Sequence, residues 1–178
     1  MIRAVPLINT SRLTLRPLRM EDFARFAEIW ADPEVARHVF GQPRSRGQSW
    51  RAFVRIAGQW QLTGFGQWAI EDRASGKMIG QTGFFNGGRD LGADFDPFPE
   101  TGWVLASEAQ QKGLGSEATM AVHDWYDRVI PGPLVCMVAP ENETSLKLAN
   151  ALGYSNLRMA EHDGSTVQLM RRDKAPQR

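Results

Sequence analysis

Residues 100–116 read ETGWVLASEAQQKGLGS, and this stretch decides both the expected fold and the expected site. Its first six residues, Glu100–Leu105, have the pattern of a strand, and a helical pattern begins near Ser116. A helix N-terminus carries unpaired N–H groups and a partial positive charge, and glycines such as Gly113 and Gly115 let an anion approach closely. The stretch therefore predicts a pyrophosphate site. A loop that merely joins strand to helix is the alternative.

This loop differs from two other phosphate-binding motifs. The chain contains no GxxxxGK followed by Ser or Thr, so it has no Walker loop, and a nucleotide-hydrolysing enzyme is disfavoured. The dinucleotide fingerprint GxGxxG is also incomplete, because its third glycine is missing and the helix follows the strand only after a ten-residue gap.

Strand patterns and helical patterns alternate on either side of this stretch. The predicted order is strand, two helices, three strands, helix, strand, helix and strand. The strands are expected at residues 13–17, 66–72, 78–85, 100–105, 134–138 and 166–170, and the helices at about 21–31, after residue 48, from about 116 and at 142–152. The second helix has Trp50, Phe53, Val54, Ala57 and Trp60 on its expected apolar face. Residues 86–99 are predicted as a long surface loop.

The composition is that of an ordinary water-soluble globular protein. Of 178 residues, 42% are hydrophobic and 23% are charged, and 21 Lys and Arg balance 20 Asp and Glu. These proportions argue against disorder, and the near-neutral charge argues against nucleic acid as the partner. No window approaches the ~18 consecutive apolar residues of a membrane span, and the N-terminus lacks the apolar run of a signal peptide. We expect one cytoplasmic domain over residues 1–178, without a membrane partner, whose tail 171–178 is frayed.

Cysteine and histidine give little support for metal or thiol chemistry. Cys136 is the one cysteine, so an internal disulfide and a cysteine zinc site are excluded, and its apolar surroundings favour a buried strand residue over a nucleophile. His38, His123 and His162 are widely spaced and form no metal-binding motif. We therefore expect no metal.

Five ordered segments resemble the GNAT superfamily of N-acetyltransferases. Gln110-x-x-Gly113-x-Gly115 resembles the family's acyl-CoA pyrophosphate motif, and Glu100-Thr-Gly-Trp resembles the strand that precedes that motif. The other segments are Glu117-Ala118, Asn142-Glu-Thr-Ser145 with Leu152-Gly-Tyr154, and Thr10-Ser-Arg-Leu-Thr-Leu-Arg-Pro-Leu18. The last of these resembles the start of the RimJ/RimL-like branch, which contains N-terminal acetyltransferases for ribosomal proteins. Together the segments span nearly the whole chain.

The resemblance implies an α/β (α+β) fold and a place for acetyl-CoA, the acyl-donor co-substrate. The expected fold is a mixed, strongly twisted central sheet flanked by helices, with acyl-CoA in a splay between two central parallel strands that end at Leu105 and Val138. The residues implied in cofactor binding are the backbone of Val104 and Leu105 for the acyl group and pantetheine, Gln110, Gln111, Lys112, Gly113, Leu114, Gly115 and Ser116 for the pyrophosphate, and Asn142 and Ser145 for the pantetheine or its sulfur.

Acetyl transfer to an amine requires a base, donors for the developing oxyanion and a proton for the thiolate. A backbone N–H near Leu105 is the expected oxyanion donor. Glu100 is the candidate base, acting directly or through water, while the alternative is a strand-edge carboxylate that solvates the loop or attracts a cationic substrate. Many family members place a tyrosine seven residues after Asn142, but this chain has Ala149 there. Ser145 is therefore the candidate acid, with helix capping or CoA positioning as the alternative.

The expected activity is acetyl transfer from acetyl-CoA to a primary amine by direct attack on the thioester. The acceptor classes left open are protein N-termini, amino acids and small-molecule amines, and the alternative function is a non-catalytic CoA-binding sensor or partner module. Homodimers are common in the family. We also expect His123 on the surface and Tyr154 in the core. Asp94 and Asp96 are expected to attract an amine. Four aromatic side chains are expected to line an acceptor pocket or, alternatively, to belong to the core. These aromatic residues are Trp30, Trp50, Trp60 and Phe65.

Overall fold

The computed structural model describes residues 4–39 and 41–176, so the first three residues and the last two residues of the predicted frayed tail lie outside it. The strands in these ranges are β1 (Ile8–Asn9), β2 (Leu13–Arg16), β3 (Gln67–Asp72), β4 (Met78–Phe85), β5 (Glu100–Leu105), β6 (Leu134–Val138), β7 (Ser155–His162) and β8 (Ser165–Arg172). The α-helices are α1 (Phe23–Ala31), α2 (Pro33–Val39), α3 (Arg46–Thr63), α4 (Leu114–Val129) and α5 (Glu143–Ala151). Short 3-10 turns occupy Met20–Asp22 and Ser107–Ala109.

Contacts between residues divide the chain into two compact units. The first unit runs up to Gly83 and includes Trp103–Val122, while the second consists of Phe84–Gly102 and the chain from His123 onward. Strand β5 and helix α4 therefore each contribute residues to both units. The single domain expected over residues 1–178 stays a prediction.

The first unit contains an antiparallel meander of β1, β2, β3 and β4. Leu15 pairs with Ile8 on one side and Ile70 on the other, and Ala69 pairs with Gln81. Alternation in β2 buries Leu13 and Leu15 completely. Helices α1 and α3 contact each other through aromatic side chains, among them Phe26 and Phe53, whose ring centroids are 5.2 Å apart. Burial of these apolar side chains is the main stabilising term of this unit.

The buried Arg16 at the end of β2 fixes the entry to α1. Its guanidinium donates to both carboxylate oxygens of Asp22, at 2.7 and 2.8 Å, and to Glu71 at 2.5 Å. The hydrogen bond to Asp22 raises the pKa of Arg16, although burial opposes this shift. Burial raises the pKa of Asp22, but the bonds from Arg16 and the Arg19 backbone outweigh it and lower that pKa. A buried charge paired in this way avoids the large penalty of an unpaired one.

Two predictions about the helices were wrong. Helix α2 was not expected, because Asp32-Pro33 reads as a helix stop, but Pro33 occupies the first helical position, where its missing N–H costs nothing. Helix α3 begins at Arg46, before the predicted start after residue 48, because Ser45 and Gln48 form a capping box. Its buried face consists of Ser49, Ala52, Phe53, Ile56 and Trp60. Trp50 and Val54 of the predicted face are instead 41% and 49% exposed.

The second unit combines one parallel and two antiparallel strand pairs. The parallel ladder of β5 and β6 has a single register pair, Glu100 with Val135, while β8 pairs antiparallel with both β6 and β7. The strands of the chain are mostly antiparallel, and the predicted mixed α/β class is confirmed. The apolar cluster of the second unit consists of Phe95, Val135, Val167 and Leu169. Among residues 4–39 and 41–176, no helix is both long and apolar enough to cross a membrane.

The C-terminal part of the second unit is more ordered than the sequence predicted. Strand β7 was missed because most of its side chains are exposed, so it lacks a clear polar and apolar alternation. Strand β8 continues to Arg172, inside the tail predicted to be frayed from residue 171. Arg172 is buried and donates to both carboxylate oxygens of Asp127, at 2.9 and 2.6 Å. This ion pair fixes the end of β8 to α4.

Three titratable side chains of the second unit are buried in its core. His123, expected on the surface, is 1% exposed, and its Nε2 lies 3.0 Å from the hydroxyl of the buried Tyr154. This hydrogen bond accounts for a polar ring in the core, and the core prediction for Tyr154 is confirmed. Burial raises the pKa of Tyr154 and, in β6, the pKa of the Cys136 thiol. Cys136 is therefore a protonated, buried strand residue, as expected.

Candidate functional site

The glycine-rich loop joins the end of β5 to the start of α4 within the first unit. After the 3-10 turn, Gln110 folds back, and its side-chain amide donates to the Leu105 carbonyl at 3.1 Å. Helix α4 begins at Leu114, two residues before the predicted start near Ser116. Leu114, Gly115 and Ser116 therefore belong to the first helical turn, so their N–H groups are those that a helix leaves without internal acceptors.

Two left-handed residues shape the loop just before the helix. Gln111 has φ 58° and Gly113 has φ 73°. The first helical bond at this end runs from the Glu117 N–H to the Gly113 carbonyl, at 3.1 Å. Glycine is the residue that adopts this backbone conformation without a steric penalty, so Gly113 sets the direction in which the helix starts. The loop thus presents backbone N–H groups at the positive end of a 16-residue helix.

Val104 and Leu105 at the end of β5 are buried residues. Gly80 of β4 approaches them so closely that a Cβ there would collide with the Val104 carbonyl oxygen. The neighbouring Ala106 N–H donates to the Ile79 carbonyl at 2.8 Å. A glycine inside a strand permits such a close approach of the neighbouring backbone.

Glu117, in the first turn of α4, is bound from several directions by the N-terminal segment. Its Oε1 accepts from the Thr10 hydroxyl at 2.6 Å, the Ser11 hydroxyl at 3.1 Å and the Arg12 N–H at 2.9 Å. Its Oε2 accepts from Arg12 Nε at 2.7 Å. Burial would raise the pKa of Glu117, but these hydrogen bonds outweigh it and lower the pKa to about 2. Sequence reasoning missed this cluster.

The low pKa of Glu117 predicts a pH-dependent contribution to stability. The folded pKa of about 2 lies below the ordinary value of 4.5, so the ionised carboxylate stabilises the fold above pH 4.5. We expect Glu117→Gln to lower the free energy of unfolding at pH 7, and the difference from wild type to narrow as the pH falls from 4.5 toward 2. Urea unfolding at a series of pH values measures this difference. The matched control is Glu34→Gln, which removes an exposed carboxylate paired with Arg37 on α2. A difference in the free energy of unfolding that stays constant over this pH range would contradict the role of the Glu117 carboxylate.

Glu100, the candidate base, lies in the second unit at the start of β5 and is 4% exposed. Both of its oxygens accept from Arg89, Oε2 from Nε at 2.8 Å and Oε1 from Nη2 at 2.9 Å. Arg89 Nη1 also lies 3.1 Å from His162 Nε2. A small open depression adjoins this pair and is lined by Gly87, Gly88, Arg89, Phe95, Asp96, Phe98 and Glu100. No local pattern indicates Arg89 as the partner of Glu100.

Asn142 and Ser145 lie at the start of α5, also in the second unit. The Asn142 side-chain oxygen accepts from the Ser145 N–H at 3.1 Å, so Asn142 is the N-cap of this helix. Capping was the alternative considered for Ser145, but Asn142 performs it. Ala149, at the position where many relatives have a tyrosine, is completely buried.

The structure brings only part of the predicted site together in one unit. Val104, Leu105 and the loop 110–116 belong to the first unit, whereas Glu100, Asn142 and Ser145 belong to the second. Asp94, expected to attract an amine, is bound through both oxygens by Arg158, and Asp96 accepts from the Gly92 N–H at 2.7 Å. In the described part of the chain, no group of three or more His, Cys, Asp or Glu side chains is arranged to hold a metal ion.

Of the four aromatic residues considered for an acceptor pocket, three are buried and Trp50 is exposed. Trp30 stacks on Phe26, and Trp60 packs edge-on against Trp68, with ring centroids 4.6 and 4.7 Å apart. Trp30, Trp60 and Phe65 are buried, which agrees with the alternative that they belong to the core. Trp50 contacts Phe23 and Phe53 and remains partly exposed.

Comparison with known proteins gives the same family as the motifs. Residues 12–155 match the family described as Acetyltransferase (GNAT) domain. An acetyltransferase of known structure from Agrobacterium tumefaciens str. C58 is 30% identical, with a TM-score of 0.80 and 98% of each chain covered. The protein named uncharacterized N-acetyltransferase p20 from Bacillus licheniformis is 28% identical over 149 residues, which cover 83% of this chain and 81% of the relative.

RimL, named as the ribosomal L7/L12 alpha-N-protein acetyltransferase, is also among the structures that share the fold. Its identity to this chain is 15%, its TM-score is 0.73, and 94% of each chain is covered, so the likeness shows the fold alone. The family match covers the loop, both strands that flank it in sequence and the start of α5. The chain belongs to the GNAT family of acetyltransferases.

Proposed function

We propose that the protein transfers the acetyl group of acetyl-CoA to a primary amine, and that residues 110–116 bind the pyrophosphate of the donor. The observation that carries the proposal is the left-handed Gly113 at the N-terminus of the long helix α4. No Cβ obstructs the backbone at Gly113 or Gly115, and the Gln110 amide ties the loop to the end of β5. These residues therefore fit a pyrophosphate, which backbone N–H groups and a helix dipole stabilise.

Acetyl-CoA supplies an activated thioester, and the protein has to stabilise the negative charge that develops on the thioester oxygen. We assign this task to a backbone N–H at Val104 or Leu105, which form the end of β5 just before the glycine-rich loop. A backbone donor held in a strand needs no reorganisation during the reaction, which makes this form of stabilisation effective.

Glu100 is the proposed base that removes the proton of the attacking amine, directly or through water. Its bidentate ion pair with Arg89 keeps the carboxylate in one orientation. In the alternative role, the Glu100 carboxylate attracts a cationic amine and takes no proton from it. The two roles differ in their effect on the pH dependence of the rate.

Asn142 and Ser145 are proposed to bind the pantetheine, and Ser145 is the proposed acid that protonates the thiolate. The cap at Asn142 fixes the first turn of α5, and this turn carries the Ser145 hydroxyl. Because Ala149 has no polar side chain, it cannot supply a proton, which is the reason for choosing Ser145.

The acceptor class that we propose is a primary amine, with α-amines as the preferred group. An α-amine has a pKa of about 8 and a lysine ε-amine one of about 10.4, so the α-amine needs less help to become neutral at pH 7. RimL, which shares the fold, is named for acting on an α-amine of ribosomal protein L7/L12. Peptides with free N-termini and amino acids are therefore the first acceptors to test.

Release of free CoA thiol from acetyl-CoA tests the proposed function. The protein is incubated with peptides bearing free N-termini, amino acids, polyamines and aminoglycosides, and the same peptides with acetylated N-termini serve as matched controls. We expect thiol release with at least one free amine and not with its blocked form. Tight acetyl-CoA binding without turnover on any amine would favour the non-catalytic CoA-binding module instead.

A further inference from the structure

The segment Thr10–Arg12 lies across the start of α4 and is anchored on its other side by strand pairing. The Arg12 carbonyl accepts from the Arg73 N–H at 3.0 Å, and Leu13 pairs with Asp72. Glu117 of α4 accepts four hydrogen bonds from this segment. The segment thus connects the β2–β3 pair to the first turn of the helix.

Arg12 contacts the glycine-rich loop as well as Glu117. Its Nη1 donates to the Lys112 carbonyl at 2.9 Å, while its Nε binds Glu117. Its third nitrogen, Nη2, lies 3.5 Å from the point where a Cβ on Gly113 would stand. The guanidinium therefore lies beside the residue that gives the loop its left-handed turn. The Arg12 side chain is 49% exposed, so it is accessible from solvent.

A cation beside the start of α4 would be favourable when an anionic ligand binds to the loop. A carboxylate in the first turn is favourable for an isolated helix, but beside an anion-binding loop it repels the phosphate groups of a ligand. Arg12 neutralises Glu117 and leaves Nη2 at the loop. A guanidinium can bind a carboxylate and a phosphate at the same time, because its donors point in fixed, separate directions.

We propose that Arg12 is a positioning residue of the acyl-CoA site, which holds the 110–116 loop through Lys112 and Glu117 and presents Nη2 to the pyrophosphate. This inference rests on the proposed function of the loop. It assigns a role to the first arginine of the Thr-Ser-Arg-Leu-Thr-Leu-Arg opening, whereas the second, Arg16, belongs to a buried ion pair with Asp22.

A comparison of two acetyl donors separates phosphate binding from a purely structural role. S-Acetylpantetheine carries the thioester and the pantetheine arm but no pyrophosphate. We expect Arg12→Ala to lower kcat/KM for acetyl-CoA by about 10-fold or more, the loss expected for charge-assisted hydrogen bonds, mainly through KM. For S-acetylpantetheine the same variant should stay close to wild type. An equal loss with both donors would overturn the assignment to the pyrophosphate.

Two further variants complete the experiment. Arg37→Ala removes an exposed arginine that pairs with Glu34 on α2, and it should leave the KM for acetyl-CoA unchanged. Arg12→Lys keeps a cation near Glu117 but loses the fork that reaches Lys112, so it should fold and still show a raised KM for acetyl-CoA only. A normal KM in Arg12→Lys would overturn the role of the fork.

Direct CoA binding distinguishes failure of this inference from failure of the proposed function. Calorimetric titration of the wild-type protein with CoA comes first, followed by the same titration of Arg12→Ala. No binding by the wild type would overturn both proposals. Equal affinity in the wild type and Arg12→Ala would overturn only the role of Arg12, and weaker binding by the variant would support it.

Discussion

Gly113→Val is expected to raise the dissociation constant for acetyl-CoA by about 100-fold, because it disturbs roughly two charge-assisted hydrogen bonds of the loop. Gly113 has φ 73°, which a β-branched residue adopts only with strain, so the loop would have to change its path. The new side chain would also stand beside the N–H groups of the first turn of α4. Calorimetric titration of wild type and variant with acetyl-CoA measures the change.

Gly64→Val is the matched control for this substitution. Gly64 follows α3, has φ 79° and, like Gly113, has room for a Cβ. Both variants should therefore lose thermal stability through the same backbone strain, but only the Gly113 variant should lose affinity for acetyl-CoA. Equal affinity in the two variants would remove the pyrophosphate assignment, whatever their melting temperatures.

Glu100→Gln is expected to lower kcat/KM for the amine acceptor by about 10²- to 10⁴-fold, the usual contribution of a general base. The amide keeps the shape of the side chain but cannot accept the proton. The affinity for acetyl-CoA should change little. The measurement is the rate of thiol release by wild type and variant over a range of pH. The variant should lose the rise of rate with pH that the base produces.

Two controls separate a catalytic loss from the loss of the ion pair. Glu71→Gln removes another carboxylate that binds a buried arginine, Arg16, so it should reduce stability without reducing the rate in proportion. Arg89→Gln breaks the ion pair but leaves the Glu100 carboxylate in place, and it should retain more activity than Glu100→Gln. Equal losses of activity in Arg89→Gln and Glu100→Gln would contradict the role of Glu100 as base.

Several elements could be predicted from sequence because local signals agreed. Strands β4, β5 and β6 have the predicted bounds, since each has an apolar pattern between clear turn residues. Helix α2 could not be predicted, because Asp-Pro serves equally well as a helix end and a helix start. The buried face of α3 was misplaced because both sides of that helix carry large apolar residues, and only tertiary packing decides between them.

The candidate site, too, could be predicted only where its signals are local in sequence. The loop 110–116 was predicted from the spacing of Gln110, Gly113 and Gly115, since glycine and helix signals are local. The bond between Arg12 and Glu117 joins residues 105 positions apart, and the pair of Arg89 and Glu100 depends on the path of a long loop. No local pattern specifies such partners. His123 was placed on the surface because its partner, Tyr154, lies 31 positions further along the chain.

Binding of acetyl-CoA to the wild-type protein, together with the amide signals of residues 110–116, tests the central claim most directly. NMR titration of the isotopically labelled chain follows each backbone N–H of the loop and of the first turn of α4. We predict saturable binding, with the largest shifts at Gly113, Leu114, Gly115 and Ser116. No binding at millimolar acetyl-CoA, or binding that leaves these four amides unshifted, would contradict the account.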